Sequence, residues 1–242
     1  MNTDVSIEQP NKKSDISGGV LKWLLKVCFS ILVLAAVLFT SSGRLDWMMA
    51  WVYIVVYVVY LGVTALILIS NNPELVAERA QIKQDVKDWD KVLARLTAIF
   101  GTGVTLLVAG LDMRFGWSSQ ITLVFQIGGL TVAVLGYLLT FWAMVSNKFF
   151  SAFVRIQKDR GHTVATAGPY QVLRHPGYVG MTMFALGTPL VLGSLWALIP
   201  AGLSMCLTVV RTKLEDRTLQ DELEGYKDYA RRVRYRLLPG IW

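Results

Sequence analysis

The sequence predicts an all-α membrane protein, a polytopic bundle of about six transmembrane helices that ends in a helical hairpin. Its 242 residues are 54% hydrophobic and only 17% charged, and the mean hydropathy is +0.47. This profile is typical of polytopic membrane proteins and excludes an ordinary soluble domain. The polar stretches between the apolar runs are too short for a separate βαβ domain. Any chemistry must therefore take place at the rim of the bundle.

Four apolar runs in the first part of the chain predict four transmembrane helices, since about 20 residues are needed to cross the hydrocarbon core. A polar tail, residues 1–20, precedes them, and we expect it to be disordered. The runs cover residues 21–41, 47–70, 92–111 and 121–145. The third run contains Gly101-Thr102-Gly103. With no strand before it, this segment favours helix packing over a nucleotide-binding loop.

A last apolar block, residues 178–210, is interrupted at Gly193-Ser194. It predicts two short helices in a tight hairpin, either the fifth and sixth spans or a re-entrant pair that returns without crossing. We accordingly divide the chain into the polar tail (1–20), four transmembrane helices (21–145) and a core (146–242). The core comprises a loop, the hairpin and a C-terminal amphipathic helix, and it is where we expect the site.

The basic residues predict the orientation of the chain. The net charge is +7, and of the 24 Lys and Arg residues only Arg44 and Arg114 lie on the side opposite the termini and long loops. Basic loops face the cytoplasm, so both termini and the site are expected there, with the protein in the inner or cell membrane. This distribution favours membrane orientation over nucleic-acid binding as the reason for the positive charge.

Metal-binding patterns are absent from the sequence. His162 and His175 are the only histidines, which excludes a His-rich metal site, and Cys28 and Cys206 lie in separate apolar runs with no metal-ligand spacing. We therefore expect no metal centre. A catalytic role has to come from Arg, His, Tyr and carboxylate side chains at the rim.

The segment Arg174-His175-Pro176 lies where the last apolar block begins. Pro176 suits the first turn of a helix, whose free N–H groups favour an anion. Arg174 and His175 add donors at that point; the alternative is that Arg174 reaches lipid phosphate and His175 caps the helix. The turn signal Asp159-Arg160-Gly161, between apolar residues in the preceding loop, predicts a short β-hairpin or an ordered loop.

The C-terminal segment predicts a helix that carries carboxylates on its buried face. Arg211, Glu215, Leu219 and Leu223 are spaced by four and form one stripe. Tyr226, Ala230 and Val233 continue it. A carboxylate near the bilayer needs a partner, and Arg211 is the local candidate for Glu215, with Asp216 beside them. Together with Arg174 and His175, these groups would suit an amino-acid-like zwitterion, or one with an additional positive centre.

The combined pattern GPY…RHPxYxG, then a hairpin, then R…E[ED]…L…Y…Y…RV resembles the isoprenylcysteine carboxyl methyltransferase and phospholipid methyltransferase superfamily. The resemblance covers roughly residues 146–238, and the segment NPELVAERA at 72–80 is similar to a loop of bacterial members. It implies an integral membrane enzyme that uses S-adenosylmethionine. Where the family has two adjacent glutamates, this chain has Glu215-Asp216, which leaves open which carboxylate acts.

The resemblance implies roles for two sets of residues. The cofactor-binding set is Tyr170, His175, Pro176, Tyr178, Gly180 and Glu215, and the catalytic set is Arg174, Arg211, Glu215 and Asp216. His175 and Tyr178 would contact the amino-acid or ribose end of the cofactor, and Glu215 its ammonium or ribose. Arg174 and Arg211 would bind the cofactor's carboxylate or orient the acceptor. With an amine acceptor, Glu215 or Asp216 would take the proton.

The expected acceptor is lipophilic, either an isoprenylcysteine-like carboxylate or a phospholipid amine, and the sequence does not decide between them. Phe149, Phe150, Tyr178 and Met181 are expected to line its path from the bilayer, or else to be ordinary core residues. Two alternatives compete with a methyltransferase. Membrane sterol reductases share a similar RHxxYxG element but use NADPH, and a non-catalytic lipid-binding protein would keep the fold without the reaction.

Overall fold

The computed structural model describes residues 12–80, 83, 85–119 and 121–242, and within these residues the secondary structure is helical, with one isolated β-bridge between Leu173 and Tyr235. The α-helices are α1 (Lys12–Ser42), α2 (Met48–Asn71), α3 (Pro73–Arg79), α4 (Asp88–Ala98), α5 (Thr105–Phe115), α6 (Leu123–Val145), α7 (Pro176–Val191), α8 (Leu198–Glu222) and α9 (Tyr226–Arg232). A π-helical stretch, Ile99–Val104, joins α4 to α5. The predicted all-α class is confirmed.

Four stretches of helix are long and apolar enough to cross a membrane. They are Ser17–Ser42, Met48–Asn71, Asp88–Phe115 and Leu123–Val145. Each contains or largely overlaps one of the four predicted runs, because continuous apolar sequence is the signal for such helices. Residues 1–11 of the predicted polar tail lie outside the described residues. Residues 12–20 are the first turns of α1, so the prediction of disorder is wrong for this part.

The last apolar block forms the predicted hairpin of α7 and α8. Gly193, with a φ of +73°, lies at its turn, and the Ser194 hydroxyl donates to Asp112 at 2.5 Å, which ties the turn to the end of α5. With 16 residues, α7 is about 24 Å long, shorter than a hydrocarbon core of about 30 Å. Neither α7 nor α8 is among the four candidate spans, so the total of six spans stays a prediction.

Helices α6 and α7 approach each other closely along a seam of small residues. A Cβ atom added at Gly136 would lie 2.5 Å from the carbonyl oxygen of Gly180, and one added at Gly187 would lie 2.6 Å from that of Gly129. Small side chains let two backbones come this close. The seam fixes the start of α7 against the end of α6, and with it the segment that carries Arg174 and His175.

The Gly-Thr-Gly segment packs against α8, as the sequence predicts. A Cβ atom at Gly101 would lie 2.5 Å from Ser204 Oγ, and the Ser204 hydroxyl donates to the carbonyl of Thr97 at 3.1 Å. The glycine therefore allows the π-helical stretch to contact the membrane half of α8.

The C-terminal amphipathic helix is shorter than predicted. Helix α8 ends at Glu222, Leu223 is extended, and Gly225 adopts a φ of +78° before α9 begins. Glycine enters this left-handed region without steric cost, so the chain turns there, and Tyr226 and Tyr229 of α9 pack with Tyr170. The prediction of one helical stripe from 211 to 233 is wrong beyond Leu223, because the turn at Gly225 breaks it.

The loop between α6 and α7 is ordered but forms no β-hairpin. It contains two short 3₁₀ turns, Lys158–Arg160 and Gly168–Gln171. The buried guanidinium of Arg155 anchors it through ion pairs to Glu78 at 2.8 Å, Asp85 at 2.8 Å and Asp159 at 2.9 Å. Of the two alternatives that the sequence left open, the structure has the ordered loop.

Replacement of Gly180 by alanine tests the seam. The new Cβ would lie 2.3 Å from Thr140 Oγ1 and 2.4 Å from the carbonyl oxygen of Gly136, so the two helices must separate, at a cost of about 1–3 kcal/mol. We expect a lower melting temperature in detergent. Gly128→Ala, on the partner helix α6 but with open space around it, is the control. Equal melting temperatures for the two variants would contradict the seam.

Candidate active site

A cavity of about 400 Å³ opens where the loop, α3, α4, α7, α8 and α9 meet. This volume is within the range of small-molecule sites, about 300–1,000 Å³. Six of the predicted site residues line it: Tyr170, Arg174, His175, Tyr178, Arg211 and Glu215. The predicted loop and C-terminal segment therefore do surround one cavity, with the tail contributing as two helices rather than one.

Asp216 lies under the cavity wall and not in the wall itself. Its side chain is 1% exposed, and its carboxylate contacts His175 Nε2 at 3.3 Å, Arg174 Nη1 at 3.2 Å and Arg236 Nε at 2.9 Å. The Tyr226 hydroxyl donates to it at 3.1 Å. Burial alone would raise the pKa of Asp216, but the hydrogen bonds from His175 and Arg236 and the nearby Arg174 charge hold it well below its usual range.

Glu215, the neighbouring carboxylate, faces the cavity. It accepts a short hydrogen bond from the Tyr178 hydroxyl, and His175 Nδ1 lies 4.0 Å from its carboxylate. Successive residues on a helix point about 100° apart. Asp216 therefore points into the protein among cationic partners, whereas Glu215 presents its carboxyl group to whatever occupies the cavity.

Arg211 does not pair with Glu215, and the local ion pair that the spacing suggested is wrong. Its guanidinium binds Asp90 of α4 through Nε at 2.6 Å and Nη2 at 3.0 Å, and it donates to the carbonyl of Ala152 at 2.8 Å. Asp90 is 0% exposed, so this two-point contact satisfies a buried carboxylate that no local sequence pattern places here. The guanidinium also lies 5.2 Å from the Tyr178 ring centre.

Arg174 and His175 are held by the end of the chain. Their backbone N–H groups donate to the carbonyls of Tyr235 at 2.9 Å and Arg236 at 3.0 Å. The Arg174 Nε is buried and has no partner among the described residues, although Arg174 lines the cavity. A buried N–H without an acceptor is costly. A ligand that supplies an acceptor for this atom would therefore be stabilised at the site.

Besides Asp216, two predicted residues, Pro176 and Gly180, shape the site without lining it. Pro176 is the first residue of α7 and is buried. Gly180 lies in the seam with α6 and does not face the cavity. Tyr170 does line the cavity, but its backbone carbonyl accepts from the Tyr229 hydroxyl at 2.7 Å. The RHPxYxG pattern therefore combines residues that face the cavity with residues that pack the helix carrying them.

The apolar part of the wall includes the residues predicted for the acceptor path. Phe149, Phe150, Tyr178 and Met181 all line the cavity. Met181 is 39% exposed, and Ala98 of α4, which also lines the cavity, is exposed as well. Ala98 belongs to a candidate span. The cavity therefore reaches the outer surface of the bundle near α4 and α7.

Several cavity or supporting residues were missed by the sequence reasoning. Arg79 and Arg95 line the cavity, and Asp90 holds Arg211. Arg79 lies in the NPELVAERA segment, so the similarity of that segment to bacterial family members was a usable signal. No comparable sequence signal pointed to Arg95 or to Asp90. For Asp90 the reason is that its ion-pair partner, Arg211, is 121 positions away in the sequence and leaves no local pattern.

Comparison with known proteins matches the part of the chain that builds this cavity. The family model described as phospholipid methyltransferase matches residues 124–224. Protein-S-isoprenylcysteine O-methyltransferase from Homo sapiens is 34% identical over 117 residues, 45% of this chain and 39% of the relative. The protein of the same name from Schizosaccharomyces pombe is 39% identical over 72 residues, 29% and 30% of the two chains.

A third relative, protein-S-isoprenylcysteine O-methyltransferase B from Arabidopsis thaliana, is 34% identical over 65 residues, 26% of this chain and 33% of the relative. The chain thus spans about a third of the length of these curated relatives. With the four apolar helices, these similarities indicate an integral membrane protein. Over residues 124–224, the part of the chain that forms much of the cavity wall, the chain is similar to the isoprenylcysteine carboxyl methyltransferase and phospholipid methyltransferase superfamily.

Proposed function

We propose that this protein is an S-adenosylmethionine-dependent methyltransferase that acts on a lipophilic acceptor at the membrane. The observation that carries the proposal is the carboxylate of Glu215, which faces the cavity with the Tyr178 hydroxyl as its close partner. A negative charge held at the wall of a partly apolar cavity favours a cationic ligand. The similarity of residues 124–224 to phospholipid methyltransferases, and of part of the chain to isoprenylcysteine O-methyltransferases, supports methyl transfer as the reaction.

The residues fit the charges of the methyl donor. S-adenosylmethionine carries an ammonium, a sulfonium and a carboxylate, and when bound it supplies a methyl group activated by the sulfonium. Glu215 would contact the ammonium or the ribose, and the unpartnered Nε of Arg174 would donate to the carboxylate. His175 and Tyr178 line the same wall and complete the donor end of the cavity.

The protein's own residues mainly align the two reactants and exclude water. A carboxylate acceptor needs no general base. An amine acceptor needs one, and Asp216 is poorly suited because its lowered pKa and its cationic partners keep it ionised. Asp216 is therefore proposed as a positioning residue for Arg174 and His175, and Arg211 as one that holds α4 against α8 through Asp90.

The proposed acceptor comes from the bilayer. The cavity wall contains Phe149, Phe150 and Met181, and it reaches the lipid-facing surface near Ala98. An acyl or prenyl chain would remain in hydrocarbon while its polar head meets the methyl donor. Prenylated carboxylates and phospholipid amines both satisfy this requirement.

The proposed orientation places the termini and the cavity in the cytoplasm. The long basic loops meet at the cavity end of the bundle, where Lys87 pairs with Glu222 at 2.7 Å and Lys26 donates to the carbonyl of Ala80 at 2.7 Å. Arg44 lies in the turn after α1, at the opposite end, and pairs with Asp46. The positive-inside rule then sets the cavity end inside.

Replacement of the two neighbouring carboxylates should give different results. Glu215→Gln should leave the protein folded and weaken S-adenosylmethionine binding about ten- to a hundredfold, as loss of a charge-assisted hydrogen bond does. Asp216→Asn should instead lower the melting temperature, because buried cations lose their counter-ion at a cost of several kcal/mol. Calorimetric titration and thermal melts measure both effects, with exposed Glu224→Gln as control. Unchanged affinity in Glu215→Gln would refute its assignment.

Activity should rise steeply with the length of the acceptor's hydrocarbon chain. Burial of each CH₂ contributes about 0.8 kcal/mol, roughly a fourfold gain in kcat/KM, until the chain exceeds the cavity and its opening. Transfer of labelled methyl groups to a homologous acceptor series measures this. Equal turnover of a short, water-soluble acceptor would contradict the path from the bilayer and point to a site open to the cytosol.

Reporter fusions test the orientation. A reporter placed after Trp242 should report the cytoplasm, and one inserted next to Trp117, in the loop between α5 and α6, should report the opposite side, because few basic residues flank it. The same side for both positions would rule out this arrangement of the four apolar helices.

A further inference from the structure

Arg79, the last residue of α3, is a cation of the cavity wall without a carboxylate partner among the described residues. Its Nη1 donates to the carbonyl of Phe150 at 3.1 Å, and its guanidinium lies 5.5 Å from the centre of the Phe150 ring. A guanidinium has five N–H donors, and among the described residues only one hydrogen bond from Arg79 is seen. Arg79 therefore differs from the other partly buried guanidinium groups around it.

The other basic residues of the cavity either have carboxylate partners, are neutral near pH 7 or are exposed. Arg211 binds Asp90, Arg174 binds Asp216, and Arg155 binds Glu78 and two further aspartates. Burial, assisted by the charges of Arg155 and Arg160, lowers the pKa of His162 to about 4, so its ring is neutral near pH 7. Arg95 has no ion pair among the described residues either, but it is exposed on α4.

The surroundings of Arg79 favour an anion. Burial lowers its pKa, the nearby Tyr60 opposes this, and the positive charge of Arg211 lowers it further. A partly buried cation with a carbonyl and an aromatic ring as its contacts gains most from a negative partner. A carboxylate matches the planar fork of a guanidinium and accepts two parallel hydrogen bonds from it.

Methyl transfer to an acid brings two carboxylates into the cavity, one on the methyl donor and one on the acceptor. The position of Arg79 distinguishes between them. The groups that match the donor, Glu215, Arg174 and His175, belong to α8 and to the segment that begins α7. Arg79 belongs to α3, which packs against α1 and α2, and its contact residue Phe150 is part of the apolar wall. A lipophilic acceptor whose chain lies along this wall would bring its carboxylate closer to Arg79 than the donor's carboxylate would be.

We propose that Arg79 binds the carboxylate of the methyl acceptor, an inference that rests on the proposed function and selects a prenylated or acylated acid over an amine. One carboxylate oxygen would accept from Arg79 while the other attacks the methyl carbon. The new C–O bond forms as the C–S bond breaks, and the electron pair of that bond passes to sulfur. An anionic carboxylate and a cationic sulfonium thus become a neutral ester and a neutral thioether.

The test compares an S-prenylated N-acetylcysteine with its carboxamide, which has the same shape without the charge. Affinities are measured on the full chain loaded with S-adenosylhomocysteine, so that no turnover occurs. The wild type should bind the acid at least tenfold more tightly than the carboxamide. Arg79→Gln, which keeps a donor for the Phe150 carbonyl, should bind the two compounds equally and retain its affinity for S-adenosylhomocysteine within twofold.

Control variants distinguish Arg79 from other cations. Arg217→Gln, at an exposed position on α8 paired with Asp221, should match the wild type. Arg95→Gln should also keep the preference for the acid; loss of the preference in that variant instead would overturn the proposal. Weaker S-adenosylhomocysteine binding in Arg79→Gln would overturn it too, by assigning Arg79 to the carboxylate of the donor.

Two further outcomes keep the inference separate from the proposed function. If Arg79→Gln does not fold, Arg79→Lys, which keeps the charge but loses the planar fork, should show a reduced preference for the acid, and an unchanged one would refute the role. A wild type that transfers no methyl group refutes the proposed function. A wild type that transfers methyl groups but binds acid and carboxamide equally refutes the role of Arg79 alone.

Discussion

The buried carboxylate of Asp216 is the interaction on which the arrangement of the site depends. It contacts Arg174 and His175 from the segment before α7, Tyr226 from α9 and Arg236 from the C-terminal segment. Because a carboxylate that is 1% exposed is costly without cationic partners, these three segments are drawn to one point on α8. The backbone bonds from Arg174 and His175 to residues 235 and 236 reinforce the same junction.

This constraint explains why two adjacent carboxylates have different surroundings. Asp216 is neutralised inside the protein, which leaves Glu215 on the next face of α8 to contact Tyr178 and the cavity. The shorter aspartate side chain suits the inner position, where its oxygens already lie within 3.3 Å of two guanidinium groups and the His175 ring. The departure from two glutamates that the sequence shows is therefore compatible with the fold and favours Glu215 as the residue that meets a ligand.

Sequence reasoning succeeded where the signal is local. Continuous apolar runs predicted the four long helices, and the break at Gly193-Ser194 predicted the hairpin. It failed where a distant partner decides the outcome: the i, i+4 spacing suggested that Arg211 pairs with Glu215, yet a fully buried Asp90 on α4 offers a stronger two-point contact. The left-handed Gly225 likewise ended a helical stripe that side-chain periodicity alone would extend. The charge of Arg79 became notable only once the ion pairs around it were known.

The proposed reaction also constrains what the charged groups can do. Methyl transfer from a sulfonium to a carboxylate removes charge, so the transition state is less polar than the bound reactants. In their proposed roles, Glu215 and Arg79 would stabilise separate charges. They would therefore bind the ground state at least as strongly as the transition state, and such binding does not raise kcat. Their contribution is therefore affinity and alignment. The acceleration has to come from the position of the two reactants in a cavity that excludes water. The neutral ester would lose the attraction of its carboxylate to Arg79, which favours its return to the bilayer.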